Sequence, residues 1–235
     1  MRKIIVTDLT RFSREDIVCI AGIDIESGEC VRPLPYLPIS ECKRLNILPG
    51  AILSGKFRPA QNIELPHSED MHYEDLKFLG SCQDTEFKRI LSISCSQSIE
   101  QGFGVNLDNF QKHIPTESKP SKSIITISVK PSQLEIVQDG FDKTKIKINF
   151  SDKDYKNYRF LAITDYGFYH YAQNHYQITA NYDEINNVIK QQEEIFLRIG
   201  LTRFYKNQAG NQGFWLQVNG IYSFPDYFKA VRKYF

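Results

Sequence analysis

Short apolar-polar alternations separated by Gly, Pro and Asp/Asn turns recur along the whole chain, and only a few stretches carry helical spacing. In the first half the pattern predicts a strand at 3–7. An alternating pair follows at 17–25 and 29–33, closed by the turn Glu26-Ser27-Gly28. Pro33, Pro35 and Pro38 stop regular structure. Ser40 then precedes a short capped helix, and 51–58 reads as another strand. Residues 59–75 are polar and rich in Pro, His and Glu, which predicts a loop. Asp84–Ser92 reads as a helix or an extended arm, and 96–110 fits neither template. The segment 113–123, HIPTESKPSKS, has the composition of a linker.

Beyond it a second β-rich series is expected at 124–130, 134–138 and 145–150, with a turn at Asp139-Gly140 and a loop to about Thr144. Phe160–Thr164 is a compact apolar strand. A short helix is expected within Tyr166–His175, and a clearer one over Tyr182–Phe196, where Ile185, Val188, Ile189, Ile195 and Phe196 lie near helical spacing. The chain ends in a strand pair, Leu197–Tyr227, and a basic aromatic tail. The whole predicts a mainly β fold with short helices: two OB-like β-barrels in tandem, 1–117 and 118–235. A single mixed α+β domain is the competing architecture. The hairpins at 20–35 and 197–225 also echo each other faintly, each carrying an Arg and ending in Pro.

Composition changes this picture little. The 235 residues are 41% hydrophobic and 24% charged, ordinary for a folded domain. No apolar run is long enough to span a bilayer, and the start is too weakly apolar for a secretory leader, so a cytoplasmic protein without a membrane partner is expected. Five cysteines without a CxxC pair argue for reduced thiols instead of a disulfide framework or zinc site. Charge is uneven. Residues 1–117 carry 13 Lys/Arg against 17 Asp/Glu, and 118–235 carry 16 against 11. Twenty of the 30 aromatic residues lie beyond position 154. The second half is therefore the better candidate for an anionic ligand that stacks.

Two clusters carry candidate chemistry. In the first, Arg32 stands before Pro33 at a strand end, near Arg11 and Arg14, as an anion-binding group would. The competing reading is a structural Arg paired with Asp16, Asp24 or Glu29. In the second, strand parity puts Trp215, Gln217, Asn219 and Ile221 on one face and Phe214, Leu216, Val218 and Gly220 on the other. Arg198 and Thr202 would share the outward face, with Arg203 at the strand end and Tyr222 nearby. Such a face suits nucleic acid: aromatic rings stack on bases, guanidiniums meet phosphate and amides read base edges. The competing reading covers Trp215, the only tryptophan, with another element.

CIAG…G…VRP near the start and LRIGLTR…WLQVNGIYSFPDY near the end together resemble the bacterial dual OB domain family. The resemblance implies two OB-like barrels and a predicted nucleic-acid-binding role, and it lends no catalytic residues. One departure is Cys30-Val31 before Arg32, where an aromatic is expected.

Catalysis has thinner support. The pairs His67/His72 and His170/His175 are spaced i,i+5, which faces the imidazoles apart on a helix or strand. Asp165 follows an apolar strand but reads as a helix N-cap, and no GxSxG, P-loop or HExxH motif is present. The expectation is an RNA- or DNA-binding protein with no cofactor or metal, using Arg11, Arg32, Arg198, Arg203, Trp215, Gln217, Asn219 and Tyr222. Two alternatives remain open: a nucleic-acid- or nucleotide-processing enzyme built on Asp165, His170 and His175, and an interaction module that dimerises through the aromatic C-terminal surface.

Overall fold

Two barrels share one apolar seam. The computed structural model describes residues 1–61, 63–142, 145–226 and 231–234. The expected loop end at Thr144 and strand end at Tyr227 lie outside them. The first half contains β1 (Arg2–Arg11), β2 (Ile17–Asp24), β3 (Cys30–Leu34), β4 (Leu37–Pro38), α1 (Ile39–Arg44), β5 (Ala51–Pro59), β6 (Asp70–Ser81) and α2 (Asp84–Ile93). There follow β7 (Cys95–Ser96), α3 (Ile99–Phe103), β8 (His113–Ile114), β9 (Ile124–Val129), β10 (Leu134–Gln138), β11 (Ile146–Ser151) and β12 (Asn157–Ile163). The chain then forms α4 (Tyr166–Thr179), α5 (Asp183–Lys190), β13 (Glu194–Leu201), β14 (Tyr205–Lys206) and β15 (Gln212–Phe224).

The first sheet closes on itself in the order β1-β5-β6-β3-β2-β1, with β4 added beside β2. The β2–β3 hairpin forms at the expected turn. Asp24 Oδ1 accepts hydrogen bonds from the amides of Glu26 (2.9 Å) and Ser27 (2.8 Å), and Gly28 supplies a φ of 74°. Ile4, Val6, Leu9, Val18, Ile20, Val31 and Leu53 fill the barrel. α1 forms where expected, but its N-cap is Pro38 and no side chain caps it.

The second sheet runs β10-β11-β12-β15-β13-β9-β7, with β8 and β14 also paired to β15. β9 pairs with β13 while β10 pairs with β11, and only a short 3₁₀ turn at Pro131–Gln133 separates β9 from β10. The run β9–β10 thus acts as one bent strand in the place that β1 holds in the first barrel. Both halves then read strand 1-2-3-5-4, with strands 3 and 5 parallel (β3–β6 and β12–β15) and helix between strands 3 and 4. This is the Greek-key arrangement of the OB-fold. The echoing hairpins are not equivalent in it: one is strands 2–3 of its barrel, the other strands 4–5.

Three differences from the pattern have physical causes. β6 takes up the last third of the expected polar loop, from Asp70 onward. Its inward residues, Met71, Tyr73, Leu76 and Phe78, are only partly buried, and a register shift near Asp75 (φ 55°) breaks their alternation. The helix expected to reach Phe196 stops at Lys190, and Ile195 and Phe196 belong to β13. Residues 95–114, ahead of the linker-like segment, join the second sheet through β7 and β8 and its core through Ile99, Phe103 and Ile114.

The barrels meet across a third cluster. Ile5 and Ile23 join Phe87, Ile90 and Leu91 of α2 against Phe196, Tyr222 and Phe224. Burying each such side chain is worth roughly 1.5–3 kcal/mol, so the seam holds the barrels together.

Candidate nucleic-acid interface

A cavity of about 350 Å³ opens where the ends of β1, β2 and β3 face β13 and β15. It gathers five of the eight expected residues, Arg11, Arg32, Arg203, Gln217 and Asn219, together with Thr10 and His67. Its aromatic lining is Phe12 and Tyr36, whose centroids lie 4.9 Å apart, with the exposed Phe204 and Tyr205. No carboxylate lines it among the described residues.

Asp70 organises the arginines. One oxygen accepts from Arg32 Nε at 2.5 Å and the other from Arg203 Nη2 at 2.7 Å, tying the barrels together beside the cavity. Burial would raise the Asp70 carboxyl, but hydrogen bonds from Arg32 and Arg203 hold it below the usual range. The partner of Arg32 is thus Asp70, and not Asp16, Asp24 or Glu29. Arg203 also donates to the Tyr36 hydroxyl at 3.3 Å. Arg11 lies with its guanidinium 3.9 Å from the Tyr169 ring centroid.

Several lining groups are buried without partners among the described residues: Arg32 Nη2, Thr10 Oγ1 and both ring nitrogens of His67. His67 is 2% exposed, and burial, reinforced by Arg203 and Arg32, pushes its pKa down to about 3. It is a neutral imidazole offering one donor and one acceptor. Unpaired buried polar atoms cost stability, and four of those found among the described residues lie on this one cavity.

The model of the dual OB-containing domain matches residues 3–221, nearly the whole chain. The chain belongs to that family. Searches among curated proteins and among solved structures find no match.

The remaining expected residues of this dual OB protein lie elsewhere. Arg198 was expected to face outward, but it is 1% exposed. Its Nε donates to Asp8 Oδ2 and its Nη1 to Thr126 Oγ1, each at 2.8 Å. Burial would lower its pKa, but Asp8 and Cys30 hold it above the ordinary value. The face it shares with Gly200 is covered by the first barrel.

Tyr222 is likewise interior, at 0% exposure. Its hydroxyl donates to the Thr7 carbonyl and its ring meets Phe87 edge-on at 5.0 Å. It therefore offers nothing to a dimer surface. The physical reason is a β-bulge. The register between β13 and β15 passes from Arg198–Gly220 to Ile199–Val218 and leaves Asn219 as the extra residue. Parity changes there, so Ile221 joins Leu216 and Val218 in the core and Tyr222 turns to the seam. Asn219 accepts from Thr164 Oγ1 and Gln217 Nε2, both at 3.0 Å. Gly200 makes room for it, since a Cβ there would lie 2.3 Å from Asn219 Nδ2.

Trp215 is half-buried beside the cavity. One face stacks on His113 at 5.0 Å, and Nε1 donates to the Tyr205 carbonyl at 3.2 Å.

Asp165 caps α4, accepting from the Phe168 amide at 3.0 Å, and also accepts from Ile221 N at 3.0 Å. Burial raises its pKa to about 6. His175 Nε2 lies 3.7 Å from Glu184, and burial lowers the pKa of His170. His67 lines the cavity while His72 is exposed. Among the described residues no helix is long and apolar enough to cross a membrane. The pattern missed Asp70, Tyr36 and Phe12 because tertiary packing alone brings them to the cavity; the one local signal was His67, between Pro66 and Glu69-Asp70.

Proposed function

We propose that this dual OB protein binds single-stranded or structured nucleic acid in the cleft between its two barrels. The observation that carries the reading is the cavity bordered by Arg11, Arg32 and Arg203, without a lining carboxylate among the described residues, beside exposed Phe204 and Tyr205. Guanidiniums there meet phosphate, the aromatic rings stack on bases, and Gln217 with neutral His67 supplies hydrogen bonds to base edges. OB-folds are common carriers of such sites. Arg198 and Tyr222 act by holding the barrels in register and do not touch the ligand.

Fluorescence anisotropy with labelled RNA and DNA oligomers tests the reading. Binding at low salt should weaken as salt rises, with a log–log slope near −0.7 per neutralised phosphate. Absence of binding to either polymer at low salt would refute it.

A further inference from the structure

The cavity's depth and charge say more than that it attracts a polyanion. Its inner lining is closed: Thr10, Arg32, His67 and Asn219 are each at most 5% exposed. A volume of about 350 Å³ falls at the small end of ligand pockets, which run from about 300 to 1,000 Å³. That is room for about one nucleotide above a buried floor. The charges are also uneven. Three guanidiniums border the space; Asp70, tied to two of them, and buried Glu69, which also acts on Arg32, offset part of that charge. Guanidiniums remain in excess. An internal phosphodiester carries one negative charge, whereas a terminal phosphomonoester near neutral pH approaches two and offers three acceptor oxygens.

We propose that the cavity is a socket for the phosphorylated end of a single strand, holding one unstacked nucleotide with its terminal phosphate. The inference rests on the nucleic-acid reading above and specifies what enters the cleft. Arg32 Nη2 and Thr10 Oγ1, both buried and without partners among the described residues, donate to the phosphate oxygens, and Arg203 closes over them from the rim. The neutral His67 ring meets the edge of the base, and Tyr36 with Phe12 forms an aromatic wall.

The test compares one labelled oligonucleotide sequence in four forms: 5′-phosphate, 3′-phosphate, hydroxyl at both ends, and circular. One phosphorylated form should bind at least tenfold more tightly than the hydroxyl-ended and circular forms. Arg203→Gln and Thr10→Val should each remove most of that preference. The Thr10 hydroxyl has no partner among the described residues, so Thr10→Val should fold normally and keep the test readable if Arg203→Gln does not. Equal affinity for all four forms would overturn the end-socket inference and leave the nucleic-acid reading standing. Binding of none would overturn both.

Discussion

Arg198 and Arg203 sit on and just beyond the same strand, β13, and do opposite work. Arg198 lies where the first barrel covers the second, with Asp8 and Thr126 taking its donors. Arg203 lies past the strand end, its side chain 48% exposed, with Asp70 and Tyr36 as partners. Residue type and strand parity do not distinguish them. What does is whether β1 lies over the side chain. On the proposed reading, Arg203 is left free to meet a ligand because the neighbouring barrel does not cover it, whereas Arg198 is not.

The largest expected effect breaks the buried member of the pair. Arg198→Ala strands the Asp8 carboxylate in the interior, and loss of one partner of a buried pair costs about 3–5 kcal/mol. Urea denaturation should show that loss. Arg198→Met combined with Asp8→Leu should regain most of it, since an apolar pair of similar size removes the stranded charge. A loss below about 1 kcal/mol for the single change would mean that Arg198 does not pin the seam.

Arg203→Gln should do the reverse. Oligonucleotide affinity is expected to fall about tenfold or more, equivalent to about 1.4 kcal/mol. The salt slope should become shallower by about one phosphate contact. The urea midpoint should hardly move, because an ion pair with one half-exposed partner contributes little. Unchanged affinity would make Arg203 a second structural arginine and erase the contrast.

Smaller effects separate the aromatic residues. Tyr205→Ala should weaken binding by about 1 kcal/mol, the lower end of a base-stacking contribution. Trp215→Ala should weaken it less, because His113 already covers one face of the indole. A larger loss at Trp215 than at Tyr205 would reverse that ranking.

The smallest expected effect on binding is that of pH. With its folded pKa near 3, His67 stays neutral throughout the mildly acidic range, so affinity should not rise between pH 7.5 and 5.5 on its account. Stability should respond instead. The unfolded chain takes up a proton on this residue near pH 6.5 and the folded chain does not. The His67 contribution is therefore complete above pH 6.5 and is lost progressively as pH falls toward 3. His67→Gln should flatten that part of a stability–pH curve. An unchanged slope would mean that His67 is not buried neutral.

Local chemistry made much of the architecture legible. The Gly28 turn, the strands at 51–59, 124–129 and 134–138, and the α4 cap at Asp165 all follow from short-range signals. The repeated turn-separated alternation is enough to suggest two OB units. Less legible were features that need a partner at long range. β6 is polar on its outward side and only half-buried inside, so it lacks the contrast that marks a strand. Ile195 and Phe196 continue a helical spacing by coincidence, because β13 is buried on both faces and shows no alternation.

For the cleft, residue choice was more legible than residue placement. Arg11, Arg32, Arg203, Gln217 and Asn219 converge on one cavity although they come from both ends of the chain. Arg198 and Tyr222 do not, because parity counting is blind to the bulge at Asn219 and to the barrel that covers β13. Asp70, which joins two arginines across the barrels, carries no sequence mark that sets it apart from other surface acids.

The most direct test of the cleft as the binding site is a paired measurement on Arg203→Gln and the wild-type protein. Anisotropy with a labelled single strand at low salt would be read beside urea denaturation of the same preparations. The account predicts at least tenfold weaker binding by Arg203→Gln with an unfolding midpoint close to wild type. Equal affinity of the two proteins, or no binding by either, would contradict it.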